Sequence, residues 1–211
     1  MVPLSVRNDI EAGTFAGRIV NSAVTFSSSE QRELRTALGH YATGVAVVTT
    51  QTADGRPAGM TINSFSSLSL DPPLVLWCLQ LSSDRFTTFA AAGYFAINVL
   101  AASQEQVARR FAARSAARFA DRSWHRGSRD MPVLDGSVAT FICRQAEQCR
   151  GGDHVILIGQ LEEYMVTGDR APLIFYGGRY LGSLDEPGNQ PSLLAAAAAG
   201  ITANHERRER P

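Results

Sequence analysis

The sequence predicts a mainly β protein, an antiparallel barrel with peripheral helices. Six or seven apolar, β-branched runs of strand length recur along the 211 residues. Asp-Gly and Gly-Gly pairs join several of these runs, and few stretches have a long helical period. The length suits one substantial domain. We place that domain at residues 29–182, between an N-terminal extension at 1–28 and a flexible C-terminal tail at 183–211.

Apolar spacing and turn residues define the elements in order. Apolar residues at helical spacing predict an amphipathic helix over 30–41. Strands at 44–52 and 57–63 flank the Asp54-Gly55 turn, because glycine supplies the positive φ of a tight hairpin. The near-continuous apolar run at 74–81 predicts a strand that is buried on both faces. The remaining elements are a short helix at 82–91 capped by Ser82, Ser83 and Asp84, a strand at 94–100, a helix at 103–113, an irregular arginine-rich stretch at 114–132, strands at 137–149 and 154–166, and a final run at 173–180.

Composition excludes several classes of chemistry. The chain has 20 basic residues, all arginine, and 20 acidic ones, so no lysine is present for a P-loop, a pyridoxal Schiff base or a lysine nucleophile. Zero net charge argues against a nucleic-acid or membrane partner, and no apolar run approaches the roughly 20 residues of a membrane span. Three unpaired cysteines and four scattered histidines indicate a reduced cytoplasmic protein without a metal site. No dinucleotide-binding glycine motif follows a strand.

The densest group of polar side chains lies at 59–73, between two apolar runs. Its members are Thr61, Asn63, Ser64, Ser66, Ser67, Ser69 and Asp71. Hydroxyl and amide groups cost free energy when they are buried without partners, so their concentration beside core strands predicts a ligand-binding wall. A solvated loop with Ser and Thr turns is the alternative.

Four motifs in sequence give the chain a resemblance to a known family. They are Gly44-Val-Ala-Val-Val-Thr-Thr, the stretch from Gly59 to Pro73, Gly152-Asp-His, and Pro172-Leu-Ile-Phe-Tyr with a later Tyr180. In this order and spacing, over residues 30–182, they resemble the short-chain flavin reductases, the small components of two-component flavin-dependent monooxygenases. The resemblance implies a flavin-binding split β-barrel, a homodimer, and NAD(P)H-driven reduction of FAD or FMN that is then released to a separate monooxygenase. We favour FAD and NADH.

The resemblance also implies flavin contacts. It implies that the ring is lined by Thr61, Ile62, Asn63 and Ser64, with Ser67, Leu68 and Ser69 completing the wall. Ser82, Ser83 and Arg85 would bind a phosphate, although related sequences often have a lysine in this segment and only Arg85 can serve here. Phe111 would meet the ribityl or adenine side, with a core position as the alternative. Tyr180 and Tyr176 would cover the open side of the stacked flavin and nicotinamide rings. The arginines at 109, 110, 114 and 118 are better interpreted as a solvated helix face than as phosphate ligands.

His154, in Gly152-Asp-His, is the position where the resemblance implies contact with the nicotinamide. Hydride transfer requires two aligned rings at about 3–3.5 Å and no protein base, so we interpret His154 as a packing and hydrogen-bonding group. Because adjacent strand residues point to opposite faces, we expect Asp153 to cap the glycine turn rather than to pair with His154. The alternative functions are a non-reductase flavin-binding barrel and a pyridoxamine-phosphate-oxidase-like enzyme.

Overall fold

The computed structural model describes residues 27–114, 118–121 and 123–182, so nearly all of the predicted extension and the whole predicted tail lie outside the described residues. The chain divides into two units, residues 1–38 and 39–211. Within the described residues the elements are α1 (Ser28–Leu38), β1 (Thr43–Gly44), β2 (Ala46–Gln51), β3 (Pro57–Ile62), β4 (Ser66–Leu70), β5 (Pro73–Gln80), α2 (Phe86–Ala90), β6 (Tyr94–Val99), α3 (Glu105–Ala112), β7 (Trp124–Arg126), β8 (Pro132–Leu134), β9 (Ala139–Gly151), β10 (His154–Val166), β11 (Ile174–Tyr176) and β12 (Arg179–Leu181). No helix in these ranges is long and apolar enough to cross a membrane.

Helix α1, the described part of the first unit, begins at a reciprocal cap. The Ser27 hydroxyl accepts a hydrogen bond from the Glu30 amide at 3.4 Å, and the Glu30 carboxylate accepts one from the Ser27 amide at 2.7 Å. Hydrogen bonds from Ser27 hold the pKa of Glu30 below its usual value. No residue of α1 is buried, and the helix ends at Leu38 rather than at the predicted residue 41.

The second unit is built on a seven-stranded antiparallel sheet in the order β3-β2-β6-β9-β10-β5-β4, with smaller sheets β1-β11-β12 and β7-β8. Strands β3 and β4 are the two edges, yet residues 63–65 alone connect them. In a flat sheet six spacings of about 4.8 Å would separate these edges by roughly 29 Å. A three-residue link spans at most roughly 14 Å between the strand ends. The sheet must therefore curl until its edges approach, and we call this approach of β3 to β4 the seam.

Two hydrophobic clusters lie on opposite faces of β2. Ala46 and Val48 pack in the first cluster with Trp77, Phe95 and Leu157, while Val47 packs in the second with Phe111 of α3 and residues from β8 and the segment before β11. Both faces of β2 are therefore covered, which explains its uninterrupted β-branched sequence.

Strand β5 differs from the prediction that both of its faces are buried. Val75, Trp77 and Leu79 are buried, whereas the alternating residues Leu74, Leu76 and Cys78 are only half-buried. The same alternation continues on β10, where Ile156 lies opposite Cys78 and Ile158 lies opposite Leu76. We call Leu74, Leu76, Cys78, Ile156 and Ile158 the outer face.

Asn98 of β6 joins four strands through its buried side chain. Its Nδ2 donates to the Val47 carbonyl and to the Thr49 hydroxyl, each at 3.1 Å. Its Oδ1 accepts from the Leu134 amide at 2.9 Å and from the Thr140 hydroxyl at 3.5 Å. Because the Asn98 amide donates two hydrogen bonds and accepts two, it fixes the position of β8 and β9 relative to β2.

Most predicted strands are present with boundaries shifted by a few residues, but β4, β7 and β8 were missed. Strand β4 lies inside the stretch that was interpreted as a ligand wall or a loop, β7 lies inside the supposedly irregular 114–132 segment, and β8 begins at the end of that segment. The predicted helix at 103–113 is a 3₁₀ turn at Ala102–Gln104 followed by α3, and the helix at 82–91 shortens to α2. No side chain caps α2 directly, because the Ser83 hydroxyl accepts from the Arg85 amide at 3.2 Å, one residue before the helix begins.

Candidate functional site

The polar segment at 61–69 presents fewer free side chains than its composition suggests. Thr61 donates its hydroxyl to the Ala108 carbonyl of α3 at 2.7 Å, and Ile62 is 6% exposed in the first cluster. These two side chains thus hold β3 in place. What β3 offers to a ligand is its backbone, since an edge strand leaves alternate amides and carbonyls without a strand partner.

Asn63 and Ser64 lie at the seam, and their side chains differ in exposure and in hydrogen bonding. The Ser64 hydroxyl accepts a hydrogen bond from the Cys78 amide at 3.0 Å and donates to the Cys78 carbonyl at 3.3 Å, which ties the link to β5. Asn63 is exposed, and its side chain makes no hydrogen bond to any other described residue. Of the two, Asn63 is the one available to a ligand.

Ser67, Leu68 and Ser69 lie on the edge strand β4. The pairing of β4 with β5 shifts register between Ser67 and Ser69, so Leu68 is the extra residue of a bulge and is 47% exposed. Ser67 is exposed and Ser69 is half-buried. This edge strand, rather than a solvated loop, carries the serines.

The predicted phosphate residues follow directly after β5. The Ser83 amide donates to the Gln80 carbonyl at 3.0 Å, which fixes this turn at the end of the strand, while Ser82 is exposed. Arg85 has a buried Nε without a hydrogen-bond partner among the described residues, and the Asp84 carboxylate is 3.9 Å from it. A buried N–H of a cation without an acceptor favours an anionic ligand at that position.

Arg118 is a second arginine of this region, and its interpretation as part of a solvated helix face was wrong. Its side chain is 4% exposed and donates to the Phe111 carbonyl at 3.3 Å and to the Ala113 carbonyl, the free carbonyls at the end of α3. Burial and then the charge of Arg85 lower the pKa of Arg118, while Asp84 opposes them. Arg118 therefore closes the end of α3 inside the fold, and Arg85 is the arginine of this region whose Nε lacks an acceptor among the described residues.

Phe111 is a core residue, so its predicted contact with a ligand is not present in this structure. The ring is 1% exposed and meets Phe119 edge-on at 4.9 Å. A Cβ at Gly59 of β3 would come within 2.9 Å of the Phe111 ring, so no space for a ligand remains between β3 and that ring.

Tyr180 lies on the small β1-β11-β12 sheet, on a different sheet from His154. Its ring packs against Phe175 at 5.4 Å and under the Arg109 guanidinium at 5.2 Å. Burial raises the pKa of Tyr180, partly offset by Arg109. Tyr176 is 41% exposed, with its hydroxyl 3.5 Å from Nδ1 of His40. In this structure Tyr180 thus packs with Phe175 and Arg109, and Tyr176 lies beside His40.

His154 opens β10, opposite Gln80 of β5, on the same side of the sheet as the outer face. Its Nδ1 is 2.7 Å from Oδ1 of Asp153. The expectation that Asp153 would not pair with His154 was therefore wrong. Asp153 belongs to the turn and not to the strand, so strand alternation does not apply to it. The hydrogen bond with His154, and then the charge of that ring, hold the pKa of Asp153 below its usual value.

Several of the predicted residues therefore meet at the carboxyl end of β5. Ser64 bonds Cys78, Gln80 pairs with His154, and the Ser82–Arg85 turn (residues 82–85) continues from the same strand. Phe111 is buried in the second cluster, and Tyr180 packs against that cluster. Sequence reasoning missed the Asp153–His154 pair and the burial of Arg118. The signal for the latter was its place shortly after a predicted helix end, where free carbonyls need donors.

Burial disfavours the thiolate form of two of the three cysteines. Burial raises the pKa of Cys78, and burial together with Glu162 raises the pKa of Cys143 to about 12. Among the described residues no group of three potential metal-ligating side chains comes together.

A cavity of about 480 Å³ lies at the end of β2, beside α2 and the start of β6. Thr50, Thr52, Thr88, Tyr94 and Arg129 are among the residues that line it. None of the predicted site residues does, so the chemistry of the β5 end and not this cavity identifies the candidate site.

Comparison with known proteins agrees with the motifs. Residues 38–183 match the family model described as the flavin reductase like domain. The FMN reductase (NADH) SmoA of Agrobacterium fabrum is 45% identical over 149 residues, which cover 71% of this chain and 84% of that protein. The reductase component of the flavin-dependent trigonelline monooxygenase of Acinetobacter baylyi is also 45% identical over 149 residues, 71% of this chain, but the chain spans only 48% of that longer protein.

A solved structure has the same fold. The NADH:FAD oxidoreductase SgcE6 of Streptomyces globisporus, determined with NAD and FAD fragments, superposes with a TM-score of 0.71 at 35% sequence identity and covers 80% of this chain and 100% of its own. A family model matching well over half of the chain, relatives at 45% identity and this structural match lead to one conclusion: the chain belongs to the flavin reductase-like domain family.

Proposed function

We propose that this chain is an NADH-dependent flavin reductase that reduces FAD or FMN and supplies the product to a separate flavin-dependent monooxygenase. The observation that carries the proposal is the meeting of Arg85, whose buried Nε lacks an acceptor among the described residues, the Ser64 link and His154 at one end of β5. The names of the relatives support the same activity, since they include an FMN reductase (NADH), an NADH:FAD oxidoreductase and a monooxygenase reductase component.

The residues fit a phosphorylated flavin. Arg85 would hold the phosphate, because a guanidinium pairs with phosphate oxygens in a bidentate geometry and the Arg85 Nε lacks an acceptor among the described residues. Asn63, the free backbone groups of β3 and the Ser67–Ser69 edge (residues 67–69) would line the ring, with Ser64 acting indirectly by seating the link on β5. When bound, the flavin accepts a hydride from NADH. His154 would orient the nicotinamide without transferring a proton.

The curled sheet supports a split β-barrel. Its edge strands β3 and β4 are neighbours in sequence and approach at the seam, while the long β9–β10 hairpin changes register twice and bends. We place the domain boundaries at residues 29 and 182, while the family match covers residues 38–183.

The outer face supports a homodimer whose flavin sites lie at or near the subunit interface. It consists of five half-buried apolar side chains on two adjacent strands, and a two-fold partner would cover it. His154 lies on the same side of the sheet, so a partner there would approach the nicotinamide side of the site. Three free cysteines, one of them fully buried, favour a reducing cytoplasmic compartment.

Anaerobic mixing of the protein with NADH and FAD, or FMN, tests the activity. The visible absorption band of the flavin should disappear at a rate proportional to enzyme concentration, and NADH should be consumed in equal amount. Flavin binding without loss of this band would contradict the proposal and favour a non-reductase flavin-binding protein.

A further inference from the structure

The Asp153–His154 pair has a defined geometry although both side chains reach solvent. The side chains of His154 and Asp153 are 42% and 79% exposed, and their Nδ1 and Oδ1 atoms are 2.7 Å apart. Ion pairs this exposed contribute little to stability. A role in folding therefore does not explain the contact.

The backbone on both sides of the pair is held in place. The Asp153 carbonyl accepts from the Leu81 amide at 2.9 Å, and His154 lies in the ladder between Gln80 and Gly151. The preceding Gly152 has φ +63°, a left-handed conformation that turns the chain into β10. This tight turn brings the carboxylate of one residue to the ring of the next, which a regular strand could not do.

A hydrogen bond at one nitrogen of a histidine decides the state of the other. A carboxylate can only accept, so the neutral His154 ring must carry its proton on Nδ1 to bond Asp153. Its Nε2 is then an unprotonated acceptor, fixed in direction by the bond on the opposite side of the ring.

We propose that Asp153 is a positioning residue that holds His154 in the Nδ1–H tautomer, so that Nε2 accepts a hydrogen bond from an N–H or O–H donor of the dinucleotide. The carboxamide N–H₂ of the nicotinamide is such a donor. This inference rests on the proposed function, since it places His154 against NADH. Beyond that function, the inference states that Nε2 of His154 accepts the hydrogen bond from the dinucleotide, and that Asp153 sets the orientation of the ring.

The chain contains a matched control pair. His125 and Asp135 also have Nδ1 and Oδ1 at 2.7 Å, with side chains 56% and 52% exposed, in the β7–β8 hairpin region outside the candidate site. Removing the Asp135 carboxylate therefore breaks a surface His–Asp contact of equal length without touching the site.

The test measures the tautomer of His154 and the NADH kinetics in Asp153→Ala, Asp153→Asn and Asp135→Ala. With four histidines in the chain, ring ¹⁵N spectra can be assigned by single substitution. In Asp153→Ala the His154 signals should move toward the Nε2–H tautomer, and KM for NADH should rise about 10-fold, a typical loss for an orienting partner. Flavin affinity should not change. Asp153→Asn, which keeps a neutral acceptor, should restore part of both readouts, and Asp135→Ala should change neither.

Three outcomes would overturn the inference, and they differ from failure of the activity itself. An unchanged tautomer ratio in Asp153→Ala removes the positioning role. A shifted ratio with unchanged KM removes the contact with the dinucleotide, and equal effects in Asp135→Ala make the change nonspecific. In all three the wild type still reduces flavin with NADH, whereas failure of the proposed function would appear as a wild type that does not oxidise NADH.

Discussion

Asn63 and Ser64 are neighbours at the seam, but one side chain is free and the other is bonded to β5. We expect Asn63→Ala to weaken flavin binding without lowering the melting temperature. Ser64→Ala should instead lower the free energy of unfolding by about 1 kcal/mol, because the Cys78 amide and carbonyl lose their partner. Flavin titration and thermal denaturation of the single variants measure the two effects. A double variant would combine the effect on flavin affinity with the effect on stability. Unchanged flavin affinity in a folded Asn63→Ala variant would show that the flavin ring does not lie at the seam.

Arg85 should recognise the phosphate of the flavin rather than its ring. In Arg85→Gln we expect the Kd for FMN to rise about 10–100-fold, the effect of a lost charged hydrogen bond of roughly 1.5–3 kcal/mol. The Kd for riboflavin, which lacks the phosphate, should stay nearly constant. Arg109→Gln is the control, since Arg109 pairs with Glu105 on the exposed side of α3. Equal losses for FMN and riboflavin in Arg85→Gln would contradict a phosphate contact.

His154→Ala separates nicotinamide binding from flavin binding. Loss of one oriented contact should lower kcat/KM for NADH by about 10–100-fold, or roughly 1–3 kcal/mol, with flavin affinity nearly intact. The pH profile of kcat/KM for the wild type should be comparatively flat between about pH 6 and 8, a range that includes the pKa of free histidine. Steady-state kinetics across that range provide the measurement. Normal NADH kinetics with lost flavin binding would assign His154 to the other ligand, and a steep profile abolished in the variant would make it a general acid.

At the scale of elements, close packing at Gly159 limits what β10 can accept. A Cβ at this position would lie 2.4 Å from the Phe95 ring and 2.8 Å from Cβ of Cys143, both fully buried. Gly159→Ala should therefore lower the free energy of unfolding by about 1–3 kcal/mol through overpacking. Gly93→Ala is the matched control, because no atom lies within 4 Å of its added Cβ. Chemical denaturation of both variants compares them, and equal stability would mean that β10 moves to make room.

The strands could be predicted where one face or both faces are buried. The apolar alternation and the glycine turn define the β9–β10 hairpin. Its second strand, β10, begins at His154 as expected. Strand β4 could not be found this way, because it is an edge strand with no buried residue and its serines resemble a loop. For β5 the apolar composition overstated burial, since the described residues leave the outer face only half-buried.

The site was predictable by segment but not by side-chain direction. Phe111 was predicted to contact the flavin or to lie in the core, and only its tertiary neighbours Phe119 and Gly59 favour the core position. Arg118 was misjudged because charged residues are seldom buried, and its burial depends on carbonyls at the end of α3. Asp153 was misjudged because strand periodicity was applied to a turn.

For the whole molecule, the outer face determines the expected oligomer. An interface of standard size buries about 800 Å² on each partner around an apolar centre. We expect the wild type to sediment at twice the 22.8 kDa chain mass and Ile156→Arg to sediment as a folded monomer with weaker flavin binding. Tyr164→Arg, at an exposed position near the far end of β10, should remain dimeric. A monomeric wild type at micromolar concentration would contradict the dimer, and dissociation by Tyr164→Arg alone would move the interface.

The chain has two tryptophans, and each belongs to a different hydrophobic cluster. Trp77 is fully enclosed, meets Phe89 at 5.2 Å and Phe95 at 5.9 Å, and its Nε1 has no hydrogen-bond partner among the described residues. Trp124 is half-buried and donates its Nε1 to the Phe119 carbonyl at 3.3 Å. Fluorescence from Trp77 is therefore emitted from rigid, apolar surroundings at the short-wavelength end of the range, and that of Trp124 at longer wavelength. The intrinsic emission spectrum thus contains a separate optical signal for each side of β2, and the protein needs no added dye for the two halves of its core to be followed independently.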